Sequence, residues 1–245
     1  MTEFFPISSS AHLILVPWLF RFTDPGLAFD VALHFGTLVA VVAYFFRDWV
    51  DIIRTGFGGE GDAPRRLLWM LVIGAVPGAL AGALLEASAE SAFRSPALIA
   101  VTLCLGGALL FVADRVRGER KAVFLSELDA LLVGLAQAAA IVPGVSRSGA
   151  TIAAARALGF GRTEAARISF LFAAPITAGA VLYALRHLTA ADLTLPFFAG
   201  IVTAAVTGLL AIHWLLRYVA RGSYRPFVWY RLALAALVVA ASFLR

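Results

Sequence analysis

Two short stretches hold the residues that could do chemistry. Glu3-Phe4-Phe5-Pro6-Ile7-Ser8-Ser9-Ser10-Ala11-His12 gathers a carboxylate, three consecutive hydroxyls and an imidazole. Pro143-Gly144-Val145-Ser146-Arg147-Ser148-Gly149-Ala150-Thr151 places a guanidinium among the hydroxyls of Ser146, Ser148 and Thr151. Pro143 and Gly144 break a helix, and hydroxyls suit the first turn of the next one. Arg, Ser and Thr at a helix N-terminus are the groups that bind phosphate oxygens. The dipole and the free N–H groups favour an anion, and the guanidinium adds two parallel donors. The second stretch follows a run, Ala130 to Val142, interrupted only by Gly134 and Gln137. A helix broken at membrane depth is tolerated only where its backbone is buried in protein or lines a wet cavity. The two broken helices are therefore expected to meet and form one site.

The elements that must position them are membrane spans. Of 245 residues, 61% are hydrophobic and 14% charged, with a mean hydropathy of +0.90. A soluble domain carries about 25% charged residues, so this is an integral membrane protein. The net charge of +5 lies mostly in loops, which reads as membrane topology and not as a nucleic-acid groove. No nucleic-acid partner is expected. Cys104 stands alone, so no disulfide can form within the chain, and it reads as a small core residue. No cleavable signal peptide is expected, because the N-terminus lacks a basic region.

Residues 1–20 are too interrupted to span as one helix of about 20 residues. Pro6, the serine triplet and Pro17 fit two short arms meeting at a break, followed by a turn at Thr23-Asp24-Pro25-Gly26. Six spans are predicted: Ala28–Phe46, Leu67–Leu85, Ala97–Ala113, Ile168–Leu185, Pro196–Leu216 and Pro226–Leu244. A polar loop over 47–66 centres on Gly58-Gly59-Glu60-Gly61, and a short loop with Glu86, Glu90 and Arg94 follows the second span. The second interrupted region runs from Leu128 to Leu158, with Thr163 read as the cap before the fourth span.

Lys and Arg set the orientation. Loops 47–66, 114–127 and 217–231 hold four each, whereas 86–96 and 186–195 hold one each. The first three are expected on the cytoplasmic side and the other two outside. This works only if both interrupted regions re-enter and leave on their own side, the first opening outward and the second inward. The motifs also recur: Pro6 and Pro143 are 137 apart, as are Ser9 and Ser146, and Tyr44-x-x-Arg47 recurs as Tyr183-x-x-Arg186 at an offset of 139. One re-entrant segment plus three spans makes each half, and an odd number of spans inverts the second half. The expected fold is thus a single all-α membrane domain over 1–245, with six transmembrane helices plus two re-entrant broken helices. Its inverted halves are 1–113 and 114–245. Folds of this kind place their site near the midplane, where the broken helices meet.

With both motifs in hand, the chain resembles the undecaprenyl-diphosphate phosphatase family of the bacitracin-resistance type. The resemblance rests on the two stretches above, on Phe29-Asp30-Val31-Ala32-Leu33-His34 and on Gly134-Leu135-Ala136-Gln137. Ala11 stands where many members have Gly. The resemblance implies a long-chain prenyl diphosphate lipid as substrate, whose terminal phosphate is removed to leave the monophosphate carrier of cell-wall synthesis. It implies Ser9 as nucleophile with His12 as its base or as the acid for the leaving oxygen, or else His12 attacking directly. It implies Arg147 on the diphosphate, and Glu3 holding a divalent cation, Mg2+ or Ca2+, as hard oxygen ligands do. Ser8, Ser10, Ser146, Ser148 and Thr151 would bind phosphate. The implied location is the bacterial inner membrane, multi-pass, with the active site opening to the outer face; a homodimer is a further expectation. The family motif also carries an acidic residue four positions before Glu3. That position precedes Met1, so the chain as written is expected to bind cation weakly and to be weakly active.

Plainer roles compete with these. Ser8, Ser9 and Ser10 can simply cap a re-entrant helix. Glu3 can be a terminal carboxylate. Asp30 and His34 lie one turn apart on one helix face and can line the cavity or pack between spans. His213 reads as an interfacial or satisfied core histidine, and Tyr183 and the tryptophans as belt and packing groups. A charge within the membrane, such as Arg147, is by default functional. An anionic-lipid transporter or flippase would use the same inverted repeats and broken helices. The combination of Glu3, Ser9 and His12 separates an enzyme from it, because transport needs no nucleophile and base.

Overall fold

The computed structural model describes residues 1–21, 26–56, 62–90 and 92–243. Most of the turn read at Thr23-Asp24-Pro25, the Gly58-Gly59-Glu60-Gly61 loop and the side chains of Glu86 and Glu90 lie outside the described residues. Among the described residues the secondary structure is helical, with one isolated bridge between Arg120 and Phe160. The α-helices are α1 (Ser9–Phe20), α2 (Leu27–Tyr44), α3 (Phe46–Gly56), α4 (Asp62–Glu90) and α5 (Pro96–Asp114). They continue with α6 (Glu127–Ala139), α7 (Arg147–Ala157), α8 (Arg162–Leu185), α9 (Leu195–Val219) and α10 (Arg225–Phe243).

Helices α4, α5, α8, α9 and α10 are long and apolar enough to cross a membrane. The sixth span is α2, which passes together with α3 and is bent from it by 80°. These are the six expected spans, and the protein is an all-α, multi-pass membrane protein.

Three local expectations need correction. The stretch read as a polar loop over 47–66 contains α3 and the start of α4. Its charges alternate with apolar residues at helical spacing: Ile52 and Thr55 are buried while Phe46, Val50 and Ile53 are exposed. A two-faced helix of this kind carries too many charges to score as a span and too few breakers to be a loop. The first interrupted region has one helical arm, α1, preceded by turns over residues 2–7, and Pro17 sits inside that helix. Thr163 is not the cap of α8; Gly161 occupies that position.

The helices approach closely where side chains are small. A Cβ on Gly134 of α6 would lie 2.5 Å from the carbonyl of Gly74 in α4. At the arginine-rich end, buried Asp114 ends α5 and accepts hydrogen bonds from Arg162 Nε of α8 (2.6 Å) and the Tyr224 N–H before α10 (3.2 Å). The start of α6 is held by a reciprocal cap between Ser126 and Asp129, with Arg120 Nη2 donating to Asp129 at 2.6 Å. The central core is aromatic. Phe4 meets Phe170 edge-on at 5.4 Å, so the N-terminal motif is anchored in the bundle from its fourth residue.

Candidate active site

The two breaks have the same local build. Ser8 caps α1 and Ser146 caps α7, both at a φ of 71°, a left-handed backbone that non-glycine residues seldom adopt. Each cap accepts from the N–H three residues on, Ala11 at 3.3 Å and Gly149 at 3.1 Å. Each also lies near the hydroxyl two residues on: Ser8 and Ser10 Oγ are 3.3 Å apart, and Ser146 and Ser148 Oγ are 3.4 Å apart. The structural counterpart of Ser146 is therefore Ser8, one residue away from the Ser9 match read from the proline spacing. Pro6 and Ser8 are separated by one residue but Pro143 and Ser146 by two, so proline spacing alone misaligns the caps.

The breaks touch, as expected, and they do so reciprocally. The Gly144 N–H donates to Ser8 Oγ at 3.1 Å, and Ser148 Oγ donates to the Phe5 carbonyl at 3.0 Å. Thr102 of α5 backs the second break, its hydroxyl donating to the Pro143 carbonyl at 2.6 Å. Gly144 has a φ of 94°, and a Cβ there would meet Thr102 Oγ1 at 2.0 Å, so only glycine fits.

Beside this junction Arg147 bridges the halves of the chain. One arm of its guanidinium pairs with Glu3 Oε1 and the other donates to Thr177 Oγ1 of α8 at 2.6 Å. Ser9 and His34 stand with the Glu3 carboxylate on the wall of one cavity. Glu3, Ser9, His34, Thr37, Thr203 and Thr207 line a cavity of about 140 Å³. Glu3 and Thr37 also line a smaller hollow that reaches Arg147 and Thr177. His34 Nδ1 donates to the Asp30 carbonyl at 2.7 Å, which leaves Nε2 an acceptor in the neutral ring.

The other expected residues sit differently. His12 does not line this cavity. Its Nδ1 donates to the Ser8 carbonyl at 2.6 Å, and its Nε2 lies 2.7 Å from the Tyr230 hydroxyl, with the two rings stacked. Ser8 and Ser146 spend their hydroxyls on caps and Ser148 on the Phe5 carbonyl. Thr151 Oγ1 lies within reach of the Arg147 carbonyl at 2.8 Å and of Ser169 Oγ at 2.7 Å. Ser10 is half-buried beside Ser8.

Sequence reasoning missed Thr177, Tyr230 and the use of Arg231. The last had a signal. Arg231 falls in the expected sixth span, although the Lys and Arg tally runs to it, and in α10 it is completely buried. A charge inside a span is costly enough to be read as functional before it is read as topology. Thr177 and Tyr230 had no signal, because their partners are remote in sequence. His213 lies outside the site, its Nδ1 3.3 Å from the Tyr44 hydroxyl.

The family model of bacitracin resistance protein BacA matches residues 1–237. Over 244 residues the chain is 54% identical to the undecaprenyl-diphosphatase of Moorella thermoacetica, covering 99% of this chain and 94% of the relative. It is 49% identical to that of Desulforudis audaxviator, covering 100% and 94%, and 44% identical to that of Elusimicrobium minutum, covering 99% and 94%.

Proposed function

We infer the reaction from the family: the chain belongs to the bacitracin resistance protein BacA family, and it hydrolyses undecaprenyl diphosphate to the monophosphate and phosphate. The observation that carries the assignment of residues is the convergence of Glu3, Ser9 and Arg147 at the junction of two broken helices. The terminal phosphate of the lipid binds at the N-terminal ends of α1 and α7, where free N–H groups and the helix dipoles favour an anion. Arg147 turns its fork from Glu3 and Thr177 to the phosphate oxygens.

Ser9 is the nucleophile. Its oxygen forms a bond to the terminal phosphorus as the bridging P–O bond breaks, and the prenyl monophosphate departs as a stable anion that needs no added proton. The hydroxyl proton passes to a neighbouring base, because a serine hydroxyl is a weak nucleophile without one. Water then cleaves the phosphoserine and releases phosphate. His12, one turn along α1 from Ser9, is that base; taking the proton requires its Nε2 to leave the Tyr230 hydroxyl. Ser10 assists on the phosphate from the same turn. Ser8, Ser146, Ser148 and Thr151 act by shaping the N-termini that face it, their hydroxyls being held by protein partners. Phosphoryl transfer is mainly positioning and charge stabilisation, so this short set suffices.

A divalent cation, Mg2+ or Ca2+, fits the site through Glu3 alone among the carboxylates. No group of three acidic, His or Cys residues forms a metal cluster among the described residues. Mg2+ is commonly held by one or two carboxylates together with substrate phosphates, and in this arrangement it would neutralise charge on the diphosphate. The arginine-rich ends of α5, α8, α9 and α10 gather on one side, which supports a cytoplasmic face there; an inner-membrane location with the mouth of the site outward is the reading that goes with it. The inverted halves 1–113 and 114–245 are supported by the matching caps at Ser8 and Ser146.

The test is phosphate release from undecaprenyl diphosphate by purified protein in detergent, with and without EDTA. Release by the wild type that is suppressed by EDTA and restored by Mg2+ or Ca2+ supports the reading. EDTA-insensitive release removes the cation, and no release removes the activity.

A further inference from the structure

Among the described residues Arg231 is the largest fully buried side chain, yet its chemistry is not used by the residues above. Its hydrogen bonds go to main-chain carbonyls. Nε donates to Leu103 at 3.1 Å, while Nη2 lies 2.8 Å from Gly144, 3.0 Å from Val145 and 3.3 Å from Thr102. Two of these carbonyls belong to the break that precedes Arg147, and two belong to α5 behind it. Gly106 and Gly107 open the groove through which the guanidinium reaches. A Cβ on Gly106 would lie 2.2 Å from Nη2 and 2.9 Å from the Val145 carbonyl. The second arm, Nη1, has no hydrogen-bond partner and lies beside Gly149, where an added Cβ would come within 2.7 Å.

A break in a membrane helix leaves carbonyls without intrahelical partners, and in a dry interior each costs several kcal/mol unless paired. Lys offers only a compact ammonium, whereas a planar guanidinium can serve carbonyls on two segments at once. We propose that Arg231 is a positioning residue for the reaction: by holding the Gly144 and Val145 carbonyls against α5, it fixes where Arg147 presents its guanidinium. The same anchor reaches α1, because Gly144 donates its N–H to the Ser8 cap. Displacement of a binding group by about 1 Å can cost on the order of 100-fold in rate. Loss of the clamp therefore acts on turnover through Arg147.

The proposal rests on Arg147 binding the diphosphate, and a double-mutant cycle separates the two claims. Arg231→Lys is expected to lower kcat about 10-fold or more in the otherwise wild-type protein. In an Arg147→Lys background, where the fork is already absent, the same change is expected to cost less than about 2-fold. A merely structural residue would lower activity by the same factor in both backgrounds, and that result overturns the proposal. Gly106→Ala provides a second route, since it displaces the guanidinium while leaving both arginines in the chain. The same pattern of loss is expected, and wild-type kcat in Gly106→Ala protein also overturns it. If Arg147→Lys alone keeps wild-type turnover, it is the diphosphate-binding role of Arg147 that fails.

Discussion

At the residue scale, Arg147 carries the account because its fork is shared between Glu3 and Thr177. Arg147→Lys keeps the charge, and with it the ion pair to Glu3, but loses two-pronged binding. We expect kcat/KM to fall by about 100-fold, a typical loss for one preorganised donor, with the folded protein retained in size-exclusion chromatography. Ser9→Ala should abolish turnover. Ser10→Ala should weaken it. Ser8→Ala should weaken it and also cost about 1 kcal/mol of stability, the ordinary value of an N-cap, read as a lower unfolding temperature. Undiminished turnover by Ser9→Ala protein with dead His12→Ala protein would make histidine the nucleophile. That Glu3 and Arg147 would meet was legible in the sequence, because a charge in an apolar chain has few structural uses, whereas Ser9 was set apart from its neighbours only by what the family resemblance implies. The partner of His12 was not legible, because 218 residues separate it from Tyr230.

At the element scale, the breaks were readable from Pro and Gly among apolar residues, and six spans from hydropathy. What escaped was α3, whose charges masked its helical spacing, and the alignment of the caps, which the extra residue between Pro143 and Ser146 shifts. The re-entrant helix α6 depends on its own cap. Burial pushes the Asp129 carboxyl up, but hydrogen bonds from Arg120 and Ser126 outweigh it and hold it below the usual carboxylate range. A lowered folded value means that this contribution is present above the unfolded carboxylate pKa of about 3.9. It is lost as pH falls through the folded value. Asp129→Asn should therefore lower the unfolding temperature at pH 7, with a loss of about 1 kcal/mol for the broken cap. The difference from wild type should shrink below about pH 4. A gap that is unchanged between pH 7 and pH 3 would contradict this.

At the scale of the whole molecule, the chain was legible as a membrane protein from composition, and the bias of Lys and Arg is the ground for expecting inverted halves. That bias makes a claim about sides. Ala191 and Arg117 are both exposed. In a Cys104→Ala background, a cysteine replacing Ala191 should react with an impermeant thiol reagent in intact cells and one replacing Arg117 should not. The reverse labelling would turn the molecule over and put the mouth of the site on the cytoplasmic side. The central claim is that the two breaks make one site in which Ser9 attacks a phosphate held by Arg147. Its most direct test is a rapid-quench single turnover with undecaprenyl diphosphate labelled in the terminal phosphate. Acid-stable label on the peptide carrying Ser9, absent from Ser9→Ala protein and strongly reduced in Arg147→Lys protein, is the predicted result. Acid-labile label on His12, or phosphate release with no labelled protein at any time, would contradict it.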